Sequence, residues 1–248
     1  MKIALTCGII TLSCLPIFSF ANESLTVGAL ATFGASDYAV DDKVSAVPLF
    51  LYDNGRIYAE GAEFGAYPLK NDKHWVRVGV SYDGRQFDPN DAKIANLRHL
   101  DERKSSINAH ASYMYITPIG GFELKATTDI LDKSDGQTLA LAHRSRFHFY
   151  GNKLIIYPKF GVTWHSDDYN NYYYGVSSAE SVRTGVRQYH AKSGISPFVS
   201  VSAKYRLYDK VGIFANQRVE WLSSTQKDSP LTDDNTKATT SIGMTYDF

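Results

Sequence analysis

The chain has 248 residues, with 26 Lys and Arg against 26 Asp and Glu, so its formal net charge is zero. Balanced charge excludes the blanket basic field of a general nucleic-acid binder. Its two cysteines, Cys7 and Cys14, both fall in the first 21 residues, which leaves no disulfide framework and no cysteine metal site beyond them.

The first segment, MKIALTCGIITLSCLPIFSFA, has one lysine, an apolar stretch broken by Gly8 and Pro16, and small residues at Ser19 and Ala21. This is the pattern of a secretory signal peptide over 1–21, cleaved after Ala21. Cys14 follows Thr11, Leu12 and Ser13, without the leucine-like residue three before it that a lipoprotein signal needs. No second apolar run is long enough to span a membrane as a helix.

Residues 22–248 are expected to form one domain. In chain order, strands are predicted near 24–34, 45–52, 55–60, 62–69, 73–83, 105–117, 119–131, 137–150, 153–165, 196–207, 210–222 and 238–248. The stretch 55–69 reads either as two strands joined at Gly61 or as one. Alternation is plain in 137–150, where Leu139, Leu141, Phe147 and Phe149 oppose Ala140, Arg144, Arg146 and His148. In 154–165, Leu154, Ile156, Phe160, Val162 and Trp164 share a face, and Ile155, Tyr157, Lys159, Thr163 and His165 share the other. In 196–207, Val199, Val201 and Tyr205 oppose Ser200, Ser202, Lys204 and Arg206.

A period of two marks a strand with one apolar face. Strands of a soluble sandwich run to about 5–6 residues, whereas a tilted bilayer-spanning strand needs about 9–11. The fold class that follows is all-β: an antiparallel outer-membrane barrel of about twelve strands, lipid outside and a charged lumen inside. Tight connections at 53–54, 70–72, 118, 151–152 and 208–209 belong in the periplasm. The longer ones at 35–44, 84–104, 132–136, 166–195 and 223–237 belong outside.

Lumen positions collect Arg77, Lys125, Arg144, Arg146, Lys159, Lys204, Arg206 and Arg218 against Glu123, Asp129 and Glu220. Two readings stay open: a water-filled, anion-preferring channel, or an ion-paired filling of a small barrel. Of seven histidines, His110, His148 and His165 fall on lumen faces. No G-x-S-x-G, H-E-x-x-H or calcium-loop pattern appears, and the acidic pairs Asp41-Asp42, Asp167-Asp168 and Asp233-Asp234 lie in expected loops. No catalysis, cofactor or metal is expected.

The longest outer loop contains NNYYYGVSSAESVRTG, residues 170–185. Ser177 and Glu180 have capping-box spacing and Gly185 is a natural helix stop, so one or two helical turns are expected there, with Tyr172, Tyr173 and Tyr174 leading in. Arg183 and Arg187 are candidates to pair with Asp101 or Glu102 on a neighbouring loop. The C-terminus alternates Thr240, Ile242, Met244, Tyr246 and Phe248, and a strand ending on Phe, with Tyr246, resembles the assembly signal read by the outer-membrane barrel machinery.

Together with RHLDERKS at 98–105, LDKSDG at 131–136, DSP at 228–230 and the terminal YDF, the tyrosine cassette resembles the MipA/OmpV family of Gram-negative outer-membrane proteins. The matching motif residues are Arg98, His99, Leu100, Asp101, Arg103 and Lys104, then Tyr172, Tyr173, Tyr174, Gly175, Ser177, Glu180, Ser181, Arg183 and Gly185. The resemblance implies a non-enzymatic barrel in the outer membrane, in contact with lipid and lipopolysaccharide. It also implies a scaffold in peptidoglycan synthesis that joins the lytic transglycosylase MltA to a bifunctional penicillin-binding protein.

Overall fold

The computed structural model describes residues 24–248; the signal-peptide segment and both cysteines lie outside them. The strands are β1 (Ser24–Ala35), β2 (Lys43–Asp53), β3 (Ile57–Glu60), β4 (Glu63–Lys70), β5 (His74–Tyr82), β6 (Ile107–Thr117) and β7 (Gly120–Asp129). They continue with β8 (Gln137–Arg144), β9 (Phe147–Phe149), β10 (Leu154–His165), β11 (Gly194–Arg206), β12 (Val211–Trp221) and β13 (Thr236–Asp247). Helices α1 (Asp167–Tyr174), α2 (Ser178–Thr184) and α3 (Ser224–Lys227), and two 3-10 turns at Pro89–Asp91 and Ala95–His99, lie in the long connections.

Apart from β8 and β9, each strand pairs antiparallel with its sequence neighbour, and β1 pairs with β13 from Thr26↔Asp247 to Ala35↔Ala238. The sheet therefore closes on itself. β8 and β9 both pair with β10 and are two parts of one stave interrupted at Ser145 and Arg146, so the barrel has twelve staves. That break is the one departure from the expected strand over 137–150. The open question at 55–69 resolves as two strands, with Gly61 at φ 64° in the hairpin tip. β3 is short, pairing only Leu51, Tyr52 and Asp53 of β2.

Large apolar side chains crowd the outer face: Leu141 is 56% exposed, Phe160 53% and Met244 59%. A continuous apolar belt this extensive needs a non-aqueous partner, and lipid supplies it. Aromatics bound the belt. Phe33, Tyr82, Trp164 and Trp221 lie toward the long loops, and Phe149, Tyr150, Tyr205, Tyr208 and Tyr246 toward the short turns, the two aromatic girdles of a membrane barrel, in which the Tyr and Trp rings set a polar tip at the interface. Short turns at 54–56, 71–73, 118–119, 150–153 and 207–210 share one end with Ser24 and Phe248, and the long connections cap the other.

The packing is inverted relative to a soluble protein. The barrel interior is polar, while the main buried apolar cluster sits above it in the loops, where Tyr38, Phe87, Leu97, Leu100, Tyr173, Tyr174, Val176 and Leu231 pack together.

Candidate functional site

The tyrosine cassette is the keystone of this cap. The sequence reading has Tyr172, Tyr173 and Tyr174 leading in to the helical turns; they are themselves the last turn of a helix of their own. α1 begins at Asp167, and the Ser166 hydroxyl caps it by accepting from Tyr169 N at 3.2 Å. Asp167 and Asp168, expected in a loop, occupy its first turn, where carboxylates suit the positive end of a helix. Tyr38 meets Phe87 edge-on at 5.5 Å and Tyr174 at 5.5 Å, and its phenol donates to the Tyr173 carbonyl. Burial pushes the Tyr38 and Tyr169 phenols well above their ordinary range, so both remain protonated donors.

α2 forms as expected. Ser177 and Glu180 make the reciprocal capping box, and Gly185 ends the helix at φ 73° in the left-handed region. Glu180 also clamps the second motif loop: it accepts from Arg103 Nη2 at 2.7 Å and from Asp101 N at 3.1 Å. Burial pushes the Glu180 carboxyl up, but the Ser177 N–H, Arg103 and the Asp101 N–H together hold it below the usual carboxylate range. Arg103 donates further to the Gly175 and Asp101 carbonyls.

The remaining motif residues brace the same junction. Arg183 reaches Asp101 at 2.7 Å and the His99 carbonyl, Arg98 donates to the Ala92 carbonyl, and Leu100 is buried in the cluster. Lys104 N donates to the Tyr172 phenol at 2.9 Å, and the Ser181 carbonyl accepts from Gly185 N. Arg187 departs from expectation: it donates to the Asp228 carbonyl and lies over the Tyr189 ring at 5.1 Å. Glu102 pairs with Lys104. At the other end of the molecule Tyr246 and Phe248 meet edge-on at 5.0 Å.

The cap is bolted to the wall through Arg85, whose guanidinium bridges Asp37 at 2.8 Å and Glu220 of β12 at 2.9 Å. Tyr174 donates to the same Asp37 carboxylate. Neither Asp37 nor Arg85 belongs to a periodic segment, so alternation does not reveal them.

Below the cap runs a cavity of about 1290 Å³, lined from Arg85 and Tyr169 under the roof to Asn152 and Lys153 at the short-turn rim. All the predicted lumen bases except Arg77 line it, and Arg77 lies buried in the wall beside it. Arg77 is clasped by Glu123, Glu60 and Glu63. Lys159 reaches Glu123 at 2.8 Å, Lys125 reaches Glu63, and Arg144 reaches Glu60 at 3.2 Å. Lys204 pairs with Asp247 at 2.5 Å and Arg218 with Glu220 at 2.9 Å. His110 meets the Tyr58 phenol at 2.6 Å.

Asp129 is a correction. Its carboxylate turns onto the 131–135 loop and accepts from the backbone of Leu131, Lys133 and Ser134, so it does not balance lumen charge. Glu60, Glu63 and Asp247 do, whereas Asp53 pairs with Lys70, and Lys153 and Lys237 add further cations to the cavity wall. Among the described residues no cluster of three or more His, Asp or Glu could hold a metal ion.

The family profile described as MltA-interacting protein MipA matches residues 27–248. The chain is 32% identical to the MltA-interacting protein of Escherichia coli K12 over 212 residues, covering 86% of this chain and 84% of that one. It is 29% identical to the outer membrane protein YiaT of the same organism, covering 97% and 98%. Among solved structures, an outer membrane channel from Pseudomonas putida F1 aligns with a TM-score of 0.43 at 11% identity, covering 95% of this chain and 97% of that one.

Proposed function

We propose a structural, scaffolding role in the cell envelope for this chain, which belongs to the MipA family and is an outer-membrane β-barrel. The observation that carries the reading is the asymmetry of its ends: the loop end is closed by a packed apolar cluster, and the cavity opens toward the short turns. A barrel sealed outside and open inside presents its accessible surface to the periplasm, where a lytic transglycosylase of the MltA type or a bifunctional penicillin-binding protein would meet it. The name of the 32% identical relative supports such a partner. In this reading residues 1–21 are removed on export, the terminal Tyr246 and Phe248 engage the assembly machinery, and the barrel does no chemistry.

The test is capture of periplasmic partners from envelope extracts together with single-channel recording. A scaffold captures an MltA-type transglycosylase, keeps it when Arg144 and Arg146 are changed to Ala, and is electrically silent in a planar bilayer. Loss of capture with an intact barrel overturns it. The second reading, an anion-preferring channel, is favoured by lumen bases such as Arg146 and Arg206 that have no acid partner among the described residues. It requires steady anion-selective openings that weaken in the Arg144→Ala, Arg146→Ala variant.

A further inference from the structure

Apart from the pairs Lys204–Asp247 and Arg218–Glu220, two groups of charges stand out on the lumen wall. One is the ion-paired network of Arg77, Lys125, Arg144 and Lys159 with Glu60, Glu63 and Glu123. The other is Arg146, His148, Lys153 and Arg206, which line the same cavity near the short-turn rim. No acid pairs with them among the described residues, and Arg146 lies over the Tyr157 ring at 5.6 Å.

The register places this second group along one side of the cavity. His148 pairs with Ile155, and Ile155 pairs on its other side with Lys204, so these two bases stand two strand spacings apart, roughly 10 Å. Arg146 lies two residues from His148 toward the long loops and Arg206 two residues from Lys204 toward the short turns, so the two arginines are about four residues, roughly 13 Å, apart along the wall, a spacing that suits carboxylates on separate rings; Arg206 N donates to the Lys153 carbonyl at 2.8 Å. The adjoining sector of wall offers hydroxyls and an amide at Ser200, Ser202, Asn216, Thr239 and Ser241, set among the paired charges of Lys204, Arg218, Glu220 and Asp247.

We propose that this mouth is a binding site, entered from the periplasm, for an acidic oligosaccharide: a short chain of sugar rings carrying carboxylates. Carboxylates match the arginines, which hold them by charge-assisted and bidentate hydrogen bonds. Ring hydroxyls match the serine, threonine and asparagine wall. The cavity exceeds the roughly 300–1000 Å³ of a drug-sized site, which suits an oligomer. A small inorganic anion would leave these hydroxyls and the amide unused. An acidic peptide would bring few hydroxyls to it. The site requires the barrel and its orientation, and neither conduction nor a protein partner.

The experiment is calorimetric titration of the detergent-solubilised barrel with trigalacturonate, neutral maltotriose and citrate at two salt concentrations, on the native chain and on an Arg146→Gln, Arg206→Gln variant. Trigalacturonate is expected to bind, more weakly as salt rises, with maltotriose about tenfold weaker or undetectable and the variant weakened by about tenfold. Heat-modifiable gel mobility verifies that the variant is folded. Equal binding of maltotriose, an unchanged variant, or no heat from trigalacturonate on a folded barrel overturns the site. Citrate binding as tight as trigalacturonate overturns the saccharide assignment in favour of a general anion mouth. Partner capture is read separately, so failure of the scaffold reading and failure of this site are distinguishable.

Discussion

Replacing Glu180 with alanine should unlatch the cap without unfolding the barrel. The carboxylate accepts from Ser177 N at 2.9 Å, Asp101 N at 3.1 Å and Arg103 at 2.7 Å. Its side chain is 4% exposed and that of Arg103 9%. Removing one partner of a buried ion pair costs about 3–5 kcal/mol. Arg103 keeps two carbonyl acceptors, which places the ion-pair loss near the lower limit, and the lost capping box adds about 1 kcal/mol. A total of about 4 kcal/mol raises the open population of the cap roughly a thousandfold. Limited proteolysis of the folded, detergent-solubilised barrel reads this directly, because cleavage of a rapidly reclosing segment tracks its open population. Cuts within 166–193 should accelerate strongly while heat-modifiable mobility persists. Because the Glu180 carboxyl is held below its ordinary range, its contribution is fully present above the unfolded carboxylate value of about 4.3. It is lost as pH falls through the lower folded value, so an acid-active protease should find the native cap loosening there and a Glu180→Gln cap with a flatter profile. Cleavage of the alanine variant at the native rate would refute the latch.

Other expected outcomes separate the wall from the cap. In a double-mutant cycle of Arg77→Leu and Glu123→Leu followed by urea unfolding, the buried pair should show a coupling above about 1 kcal/mol; additive losses would mean the neighbouring ions already satisfy each group. Gly185→Val should destabilise α2 by about 1–2 kcal/mol because φ is 73° there, and Gly185→Asn by less, both read by cleavage of the same loop. Deleting Phe248 should lower the amount of barrel assembled in cells while the purified chain refolds in detergent with native gel mobility; normal assembly in cells would remove its signal role.

The barrel was legible because alternation is enforced residue by residue on a wall with lipid on one side. Leu139, Leu141, Phe160 and Val162 fall outward, and Ala140, Arg144, Lys159 and Thr163 fall inward, as the period requires. Glu60 and Glu63 were obscured because the short 55–69 hairpin supports two readings, and their parity changes across the turn at Gly61. Asp129 has lumen parity, yet four loop residues within reach of its carboxylate offer backbone N–H groups and win it locally. The capping box at Ser177 carried α2. α1 had a fainter sign, Ser166 followed by two aspartates, and DDYNNYYY shows no apolar stripe of helical period because its tyrosines bury on several sides within the cap.

The two interiors of this protein obey opposite rules, and that difference bears on what each can do. The lumen holds charges that are tolerated only by pairing or by access to water, so Arg146 and Arg206, which have no acid partner among the described residues, mark where water or an anionic group must reach. The cap excludes water with tyrosines whose phenols each find an acceptor, so those rings are buried without orphaning their hydroxyls. Arg85 joins them, drawing Asp37 from the cap and Glu220 from the wall to one guanidinium. Replacing Arg85 would leave two carboxylates facing each other beneath the tyrosines. The joint should therefore fail as a unit, opening the roof and releasing Glu220 into the lumen together. Rim substitutions at Arg146 and Arg206, which touch neither, should leave the seal intact.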